Sequence, residues 1–186
     1  RLLTSHTNRK TTKEVTVDTS GNKGHVETYF DKLYRTVKTV TNDPDGAITS
    51  ETEYDGIGRV KKTSNPYRSG DTVAWTQTAY DALSRPVTVT APDTSTISYG
   101  YANNVTTTTD QAGNQRRYTY NVLGQLTMVE EPSPTLATPA VTTYKYYGFG
   151  PLYQSSQSSQ TRTWVYNWLG QMTSQALPES GTTSFT

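Results

Sequence analysis

Three acid–base pairs set four residues apart are the first groups in this sequence that could do chemistry: Asp31 with Arg35, Asp55 with Arg59, and Asp81 with Arg85. The same spacing later carries amides, Asn121 with Gln125 and Asn167 with Gln171, and no copy mixes the two kinds. A catalytic carboxylate needs a strongly perturbed, positioned environment. A matched exchange of ion pair for amide pair points instead to two side chains that meet across the mouth of a turn. A partly exposed pair of this sort contributes little stability and mainly fixes register.

Other reactive combinations are weaker. The only histidines are His6 and His25, neither beside a nucleophile signature, and there is no cysteine. Nucleophilic triads therefore lack their parts. Glu51 and Glu53 share a strand face, and Glu130 and Glu131 precede a proline; neither pair is singled out as a glycosidase dyad. "TNDPDGAI" holds the core of a calcium loop at Asp43, Asp45, Gly46 and Ile48, yet the first and last ligand positions fall on Thr41 and Thr52. A tight turn is the expectation there. No glycine-rich phosphate loop of the right form occurs. Aromatic clusters (Tyr144, Tyr146, Tyr147, Phe149; Trp164, Tyr166, Trp168) could stack on sugars or bases, with Trp164 and Trp168 as the candidate ligand-stacking pair. The low apolar content favours packing for most of them. "NVT" at Asn104 is a glycosylation sequon with meaning only in a eukaryotic secretory host. No catalytic residue, metal ligand or cofactor is expected, and the chain is not expected to be an enzyme.

The elements that must hold these pairs follow from composition. The chain has 186 residues, a formal net charge of +1, 14 tyrosines, 3 tryptophans and 36 threonines. Thr, Tyr and Val suit a pleated, half-buried surface, so an all-β protein with a thin aromatic-rich core is expected. Residues 1–40 are mildly basic, which a solvated strand face explains. The charge balance gives no general pull toward nucleic acid, and no apolar run approaches the ~18 residues of a membrane helix. No signal peptide is visible.

The pairs recur inside a longer pattern: "FDKLYRT", "YDGIGRV", "YDALSRP", "YNVLGQL" and "YNWLGQM". Their anchors, Asp31, Asp55, Asp81, Asn121 and Asn167, are separated by 24, 26, 40 and 46 residues, the last two near twice a unit of roughly 20–23. Pro66, Pro92, Pro132 and Pro178 each follow their anchor by 11 residues, and Pro44 follows Asp31 by 13. Proline cannot donate to a ladder, so each should close a strand. "VTVDTSGN" and "TTTTDQAGN" add a second Asp-x-x-Gly turn, at Asp18 and Asp110. An Asp at the first turn position bonds back to the backbone, and the Gly accepts the positive φ of a three-residue hairpin with a bulge. Gly58, Gly124 and Gly170 fill that position; Tyr34 and Ser84 replace it in two copies. Those two turns must change type or accept a left-handed residue. The residue before it is apolar in all five copies, Leu33, Ile57, Leu83, Leu123 and Leu169, so the tips are expected to pack on neighbouring units. About 14–18 strands are expected in a twisted, curling antiparallel strip. Loops are expected at Asn42–Gly46, Asn65–Asp71, Glu130–Ala140 and the serine-rich Gln154–Gln160. Residues 1–186 should form one array, cut within a repeat at both ends.

The sequence "TxxxxYDxxGR…P" resembles the YD repeat of the rearrangement-hotspot (RHS) proteins, the teneurins and bacterial wall-associated proteins. The copies at Tyr54, Tyr80, Tyr120 and Tyr166 carry the likeness, which covers essentially the whole chain. The resemblance implies a β-rich sheet that spirals into a hollow shell. In bacterial toxin systems such a shell encloses a C-terminal toxic domain; in surface proteins it is a scaffold for adhesion. The anchors it marks are Tyr54, Asp55, Gly58, Arg59, Tyr80, Asp81, Arg85, Tyr120, Asn121, Gly124, Tyr166, Asn167 and Gly170. The family's self-cleaving aspartyl element and variable toxin region are not seen; "NDPDG" at Asn42 sits mid-array, where a turn belongs. A non-catalytic shell segment is thus the leading expectation, with neighbouring repeats, an enclosed toxin domain or surface carbohydrate as partners and a secreted or bacterial cell-surface location. An adhesin module and an edge-paired fibre are the alternatives.

Overall fold

The structure, a computed structural model, describes residues 9–16, 23–133, 138–148 and 150–185. Every regular element among them is a β-strand, and within each of two units neighbouring strands pair antiparallel in sequence order. The strands gather into two units, Arg1–Thr96 and Ile97–Thr186.

The first unit contains β1 (Arg9–Thr16), β2 (Lys23–Phe30), β3 (Thr36–Asp43), β4 (Gly46–Tyr54), β5 (Val60–Ser64), β6 (Trp75–Tyr80) and β7 (Pro86–Thr90). The second follows with β8 (Thr96–Ala102), β9 (Val105–Thr109), β10 (Gln115–Tyr120), β11 (Leu126–Glu131), β12 (Ala140–Tyr146), β13 (Leu152–Gln157), β14 (Gln160–Tyr166), β15 (Met172–Leu177) and β16 (Gly181–Ser184). In both units the fold is an open meander of hairpins, all-β as the composition requires. Exposure alternates with period two along β5 and β8, as a pleated strand dictates.

Neither unit has an ordinary core. Among the described residues only Val129 and Ser155 are buried, each 9% exposed. The other strand side chains whose burial is described are half-buried or exposed, as in one-layer sheets. Cross-strand ion pairs line the sheets and help fix register. Lys62 Nζ lies 2.9 Å from Glu53 Oε1, Arg116 Nε lies 3.2 Å from Glu131 Oε1, and Lys10 pairs with Glu27.

The prolines behave as the repeat predicts: Pro44, Pro132 and Pro178 directly follow β3, β11 and β15, while Pro66 and Pro92 come two residues after β5 and β7. The structure departs from the expected layout of strands and loops in three places. First, "QSSQSSQ" is not a loop. Gln154–Gln157 completes β13 and Gln160 opens β14, with only Ser158–Ser159 turning between them. Serine is a poor strand former alone, but here it pairs on both sides, Ser155 with Tyr144 and Arg162, Ser156 with Thr143 and Thr161. Second, the long gaps hide whole turns. Ala91–Ser95 and Tyr147–Pro151 close with the same backbone bonds as the five recognised corners. Third, the expected loop at Asn42–Gly46 shrinks to Pro44–Asp45, because Asn42 and Asp43 pair with Ala47 and Gly46. The Asp18 turn lies outside the described residues.

Candidate functional site

Each of the five recognised corners is a tight turn that puts a left-handed residue in fourth place. In the corner at Asp55, Gly58 N–H donates to the Asp55 carbonyl at 3.0 Å and Asp55 N–H donates to the Arg59 carbonyl at 2.8 Å. The ladder register shifts at the residue before each anchor, between Glu53 and Tyr54 here, which is the expected bulge. Gly58, Gly124 and Gly170 have φ of 95°, 76° and 76°. Tyr34 and Ser84 keep the turn type and adopt φ of 62° and 63° themselves.

The anchor side chain organises the turn. Asp55 Oδ1 accepts from the backbone N–H groups of Ile57 and Arg59 at 3.0 and 2.9 Å, and Oδ2 accepts from Arg59 Nε at 2.7 Å. Asp31 with Arg35 and Asp81 with Arg85 repeat this arrangement, their Nε–Oδ2 distances being 2.7 and 2.8 Å. At the amide corners Oδ1 keeps its two backbone bonds, while Asn121 Nδ2 donates to Gln125 Oε1 at 2.8 Å and Asn167 Nδ2 to Gln171 Oε1 at 2.9 Å. Asp110 clasps Asn114 in the same manner, at 3.1 Å.

These contacts set the carboxyl acidities. Partial desolvation pushes Asp31 and Asp55 upward, but the Arg35 and Arg59 backbone N–H groups and guanidinium groups outweigh it, and both carboxyls end below their usual range. Asp81 is lowered first by the Arg85 backbone N–H. Groups held as charged, fully engaged acceptors are poor proton carriers at neutral pH.

The arginines and tyrosines also reach the next corner, a role the sequence did not disclose. Arg35 lies 4.1 Å from the Tyr54 ring centre and Arg59 lies 4.5 Å from that of Tyr80. Arg59 Nη1 donates to the Asp81 carbonyl at 3.1 Å. In return, Tyr54 and Tyr80 hydroxyls donate back to the carbonyls of Thr36 and Val60 at 3.0 and 2.7 Å. Tyr146 does the same to Leu126 at 2.8 Å, and Gln125 Nε2 donates to the Gly150 carbonyl at 3.2 Å. Three corners, at Asp31, Asp55 and Asn121, are thus stitched to the following one by a cation–π contact or a polar side chain one way and a phenol the other. The invariant aromatic before each anchor was the available signal.

The apolar tips do not pack on neighbours. Leu33, Ile57, Leu83, Leu123 and Leu169 are between 49 and 73% exposed. The three-residue loop carries them past the last ladder bond and out into solvent.

Shallow grooves run beside the corners among the described residues. One of about 460 Å³ is lined by Asp31, Arg35, Lys38, Glu51, Glu53 and Tyr54. A second, of about 370 Å³, lies along Asp55, Arg59, Tyr80 and the β6–β7 face. A third, of about 330 Å³, is aromatic and uncharged: Tyr147, Pro151, Tyr166, Asn167, Trp168 and Gly170. Tyr147 packs tilted on Tyr153 at 4.8 Å and edge-on to Tyr166 at 6.3 Å. Trp168 is 91% exposed on its corner. Trp164 is half-buried in β14, opposite Gln175, and does not line this groove. Phe149 lies outside the described residues. Among the described residues no three His, Cys, Asp or Glu side chains are grouped to hold a metal ion.

No family model matches the chain, and no curated protein matches it. Solved structures do. The TcdB2-TccC3 crystal structure matches with a TM-score of 0.74 at 14% identity, over 95% of this chain and 12% of that one. TcdB2-TccC3-Cdc42 matches with a TM-score of 0.73 at 14% identity, over 94% and 11%. The Tc holotoxin pore of Photorhabdus luminescens matches with a TM-score of 0.65 at 14% identity, again over 94% and 11%. The chain spans about a ninth of the length of these proteins, and it shares the fold of their RHS/YD-repeat shell.

Proposed function

We propose that this chain is a non-catalytic segment of a YD-repeat wall that encloses or presents another polypeptide, such as a C-terminal toxin, in a secreted or cell-surface bacterial protein. The observation that carries it is the corner column within a one-layer sheet. Asp55, Arg59, Tyr80 and Asp81 spend their polar groups within their own and adjacent turns, so the corner chemistry builds wall. The anchors Tyr54, Asp55, Gly58, Arg59, Tyr80, Asp81, Arg85, Tyr120, Asn121, Gly124, Tyr166, Asn167 and Gly170 serve that structural role. The fold shared with the TcdB2-TccC3 shell supports the reading. The test is protease protection in the natural gene product that carries this segment. A downstream domain should resist protease while the repeats are folded and become sensitive when they are destabilised. Equal cleavage rates in both conditions would dispose of enclosure.

The exposed indole of Trp168 favours one further reading, a module that holds surface carbohydrate. Glycan-array binding that disappears in Trp168→Ala, with the fold kept, would support it; no binding across the array would remove it.

A further inference from the structure

We propose that the aromatic groove at Tyr147, Tyr166 and Trp168 is a binding site for an arginine side chain of another polypeptide segment. The argument comes from comparing two corners of the same chain. At the Asp55 corner, the fifth residue is Arg59. Its guanidinium lies over the next corner's tyrosine, Tyr80, 4.5 Å from the ring centre. It donates to the carbonyl of the next anchor, Asp81, at 3.1 Å, and to Ser84 Oγ at 3.3 Å. At the Tyr147 corner the equivalent of Arg59 is Pro151, and the equivalents of Tyr80, Asp81 and Ser84 are Tyr166, Asn167 and Gly170. The groove of about 330 Å³ is lined by Tyr147, Pro151, Tyr166, Asn167, Trp168 and Gly170. Position for position, this is the berth that a guanidinium fills one repeat type away.

The substitutions make it a site for an incoming cation. Proline supplies no guanidinium to the Tyr166 side of the berth, and the groove beside it is lined by rings instead. Tyr147 replaces the aspartate that would clasp a resident arginine, and stands edge-on to Tyr166 at 6.3 Å. Trp168, 91% exposed, adds the strongest cation-attracting ring. Asn167 offers its carbonyl in the place where Asp81 accepts from Arg59. Its side chain is already engaged, with Oδ1 accepting from Leu169 and Gln171 N–H and Nδ2 donating to Gln171. Ring faces plus a carbonyl, with no carboxylate, suit a flat and weakly hydrated guanidinium better than a compact ammonium. They also favour it over a neutral sugar, because the precedent at Tyr80 is a cation.

The test follows the indole N–H signals of the three tryptophans in the isotope-labelled chain, with Trp168 assigned from Trp168→Phe. N-acetyl-arginine methylamide should shift the Trp168 signal saturably. The neutral isostere N-acetyl-citrulline methylamide should bind at least about tenfold more weakly. Pro151→Arg, which supplies the missing group from within, should weaken arginine binding at least about tenfold while circular dichroism stays unchanged. Trp168→Ala, at an exposed position, should weaken it comparably. Equal binding of citrulline or of the lysine analogue, undiminished binding in both variants, or a Trp168 response to methyl glucoside but not to arginine would overturn the assignment.

Discussion

A guanidinium in this sheet serves two repeats at once. Arg59 closes its own turn through Asp55 and covers the next through Tyr80 and the Asp81 carbonyl. Lysine keeps the charge but not the planar fork or the flat stack. Arg59→Lys is therefore expected to lower the urea midpoint nearly as far as Arg59→Ala; a lysine variant as stable as the parent would refute the double role. Tyr80→Phe removes only the bond to Val60 and should cost about 1 kcal/mol in the same measurement. Acid acts on the same corners. The Asp31, Asp55 and Asp81 carboxyls are depressed in the folded chain. Their stabilisation is present above the unfolded value of about 3.9 and is lost as pH falls through the folded values. Asn121 and Asn167 have nothing to titrate. Below about pH 4 the Gly58 amide should therefore lose hydrogen-exchange protection, and the double variant Asp55→Asn, Arg59→Gln should keep it. Identical acid profiles for parent and double variant would break this account.

At the scale of the turn, glycines that look alike in sequence differ in what surrounds them. A Cβ built on Gly58 comes within 2.9 Å of Arg35 Nη1, the group stacked on Tyr54, whereas Gly124 has nothing within 4 Å. Gly124→Ala should cost about 1 kcal/mol for its left-handed backbone alone. Gly58→Ala should cost more, because it also displaces the contact from the preceding corner; equal losses in thermal unfolding would argue against that stitch. Strands and corners were largely legible in the sequence, since Tyr-Asp-x-x-Gly and a proline 11 residues on are local instructions. The corner at Tyr147 was not, because tyrosine stands for its aspartate and proline for its arginine. The corner at Ala91 has neither tyrosine nor glycine, and Thr94 takes the left-handed place at φ 69°. "QSSQSSQ" was misread because its strand character comes from threonine- and tyrosine-rich partners on either side. Amide exchange at Ser155 and Ser156 should accordingly be as slow as in β14, not as fast as in a loop. The arginine and tyrosine contacts between corners depend on which turns become neighbours, and spacing alone does not state that.

Over the whole molecule the decisive fact is how little is hidden from water. A chain whose described residues include only Val129 and Ser155 as buried positions exposes less new surface on unfolding than a globular domain of equal length. Its urea m-value is expected to fall well below that of a compact 186-residue domain; a value in the globular range would mean that the sheets close on themselves or on each other in solution. No helix among the described residues is long and apolar enough to cross a membrane. Repeats that lean only on adjacent repeats share stability as links do in a chain, so damage at one corner should spread to its neighbours and fade beyond them. Pairing in sequence order has a kinetic consequence as well. Within each unit a new strand finds its partner in the strand just synthesised, so loop closure remains cheap from one hairpin to the next. A nascent chain can add one hairpin at a time to a growing edge while the ribosome is still translating the next, and no distant segment has to be awaited.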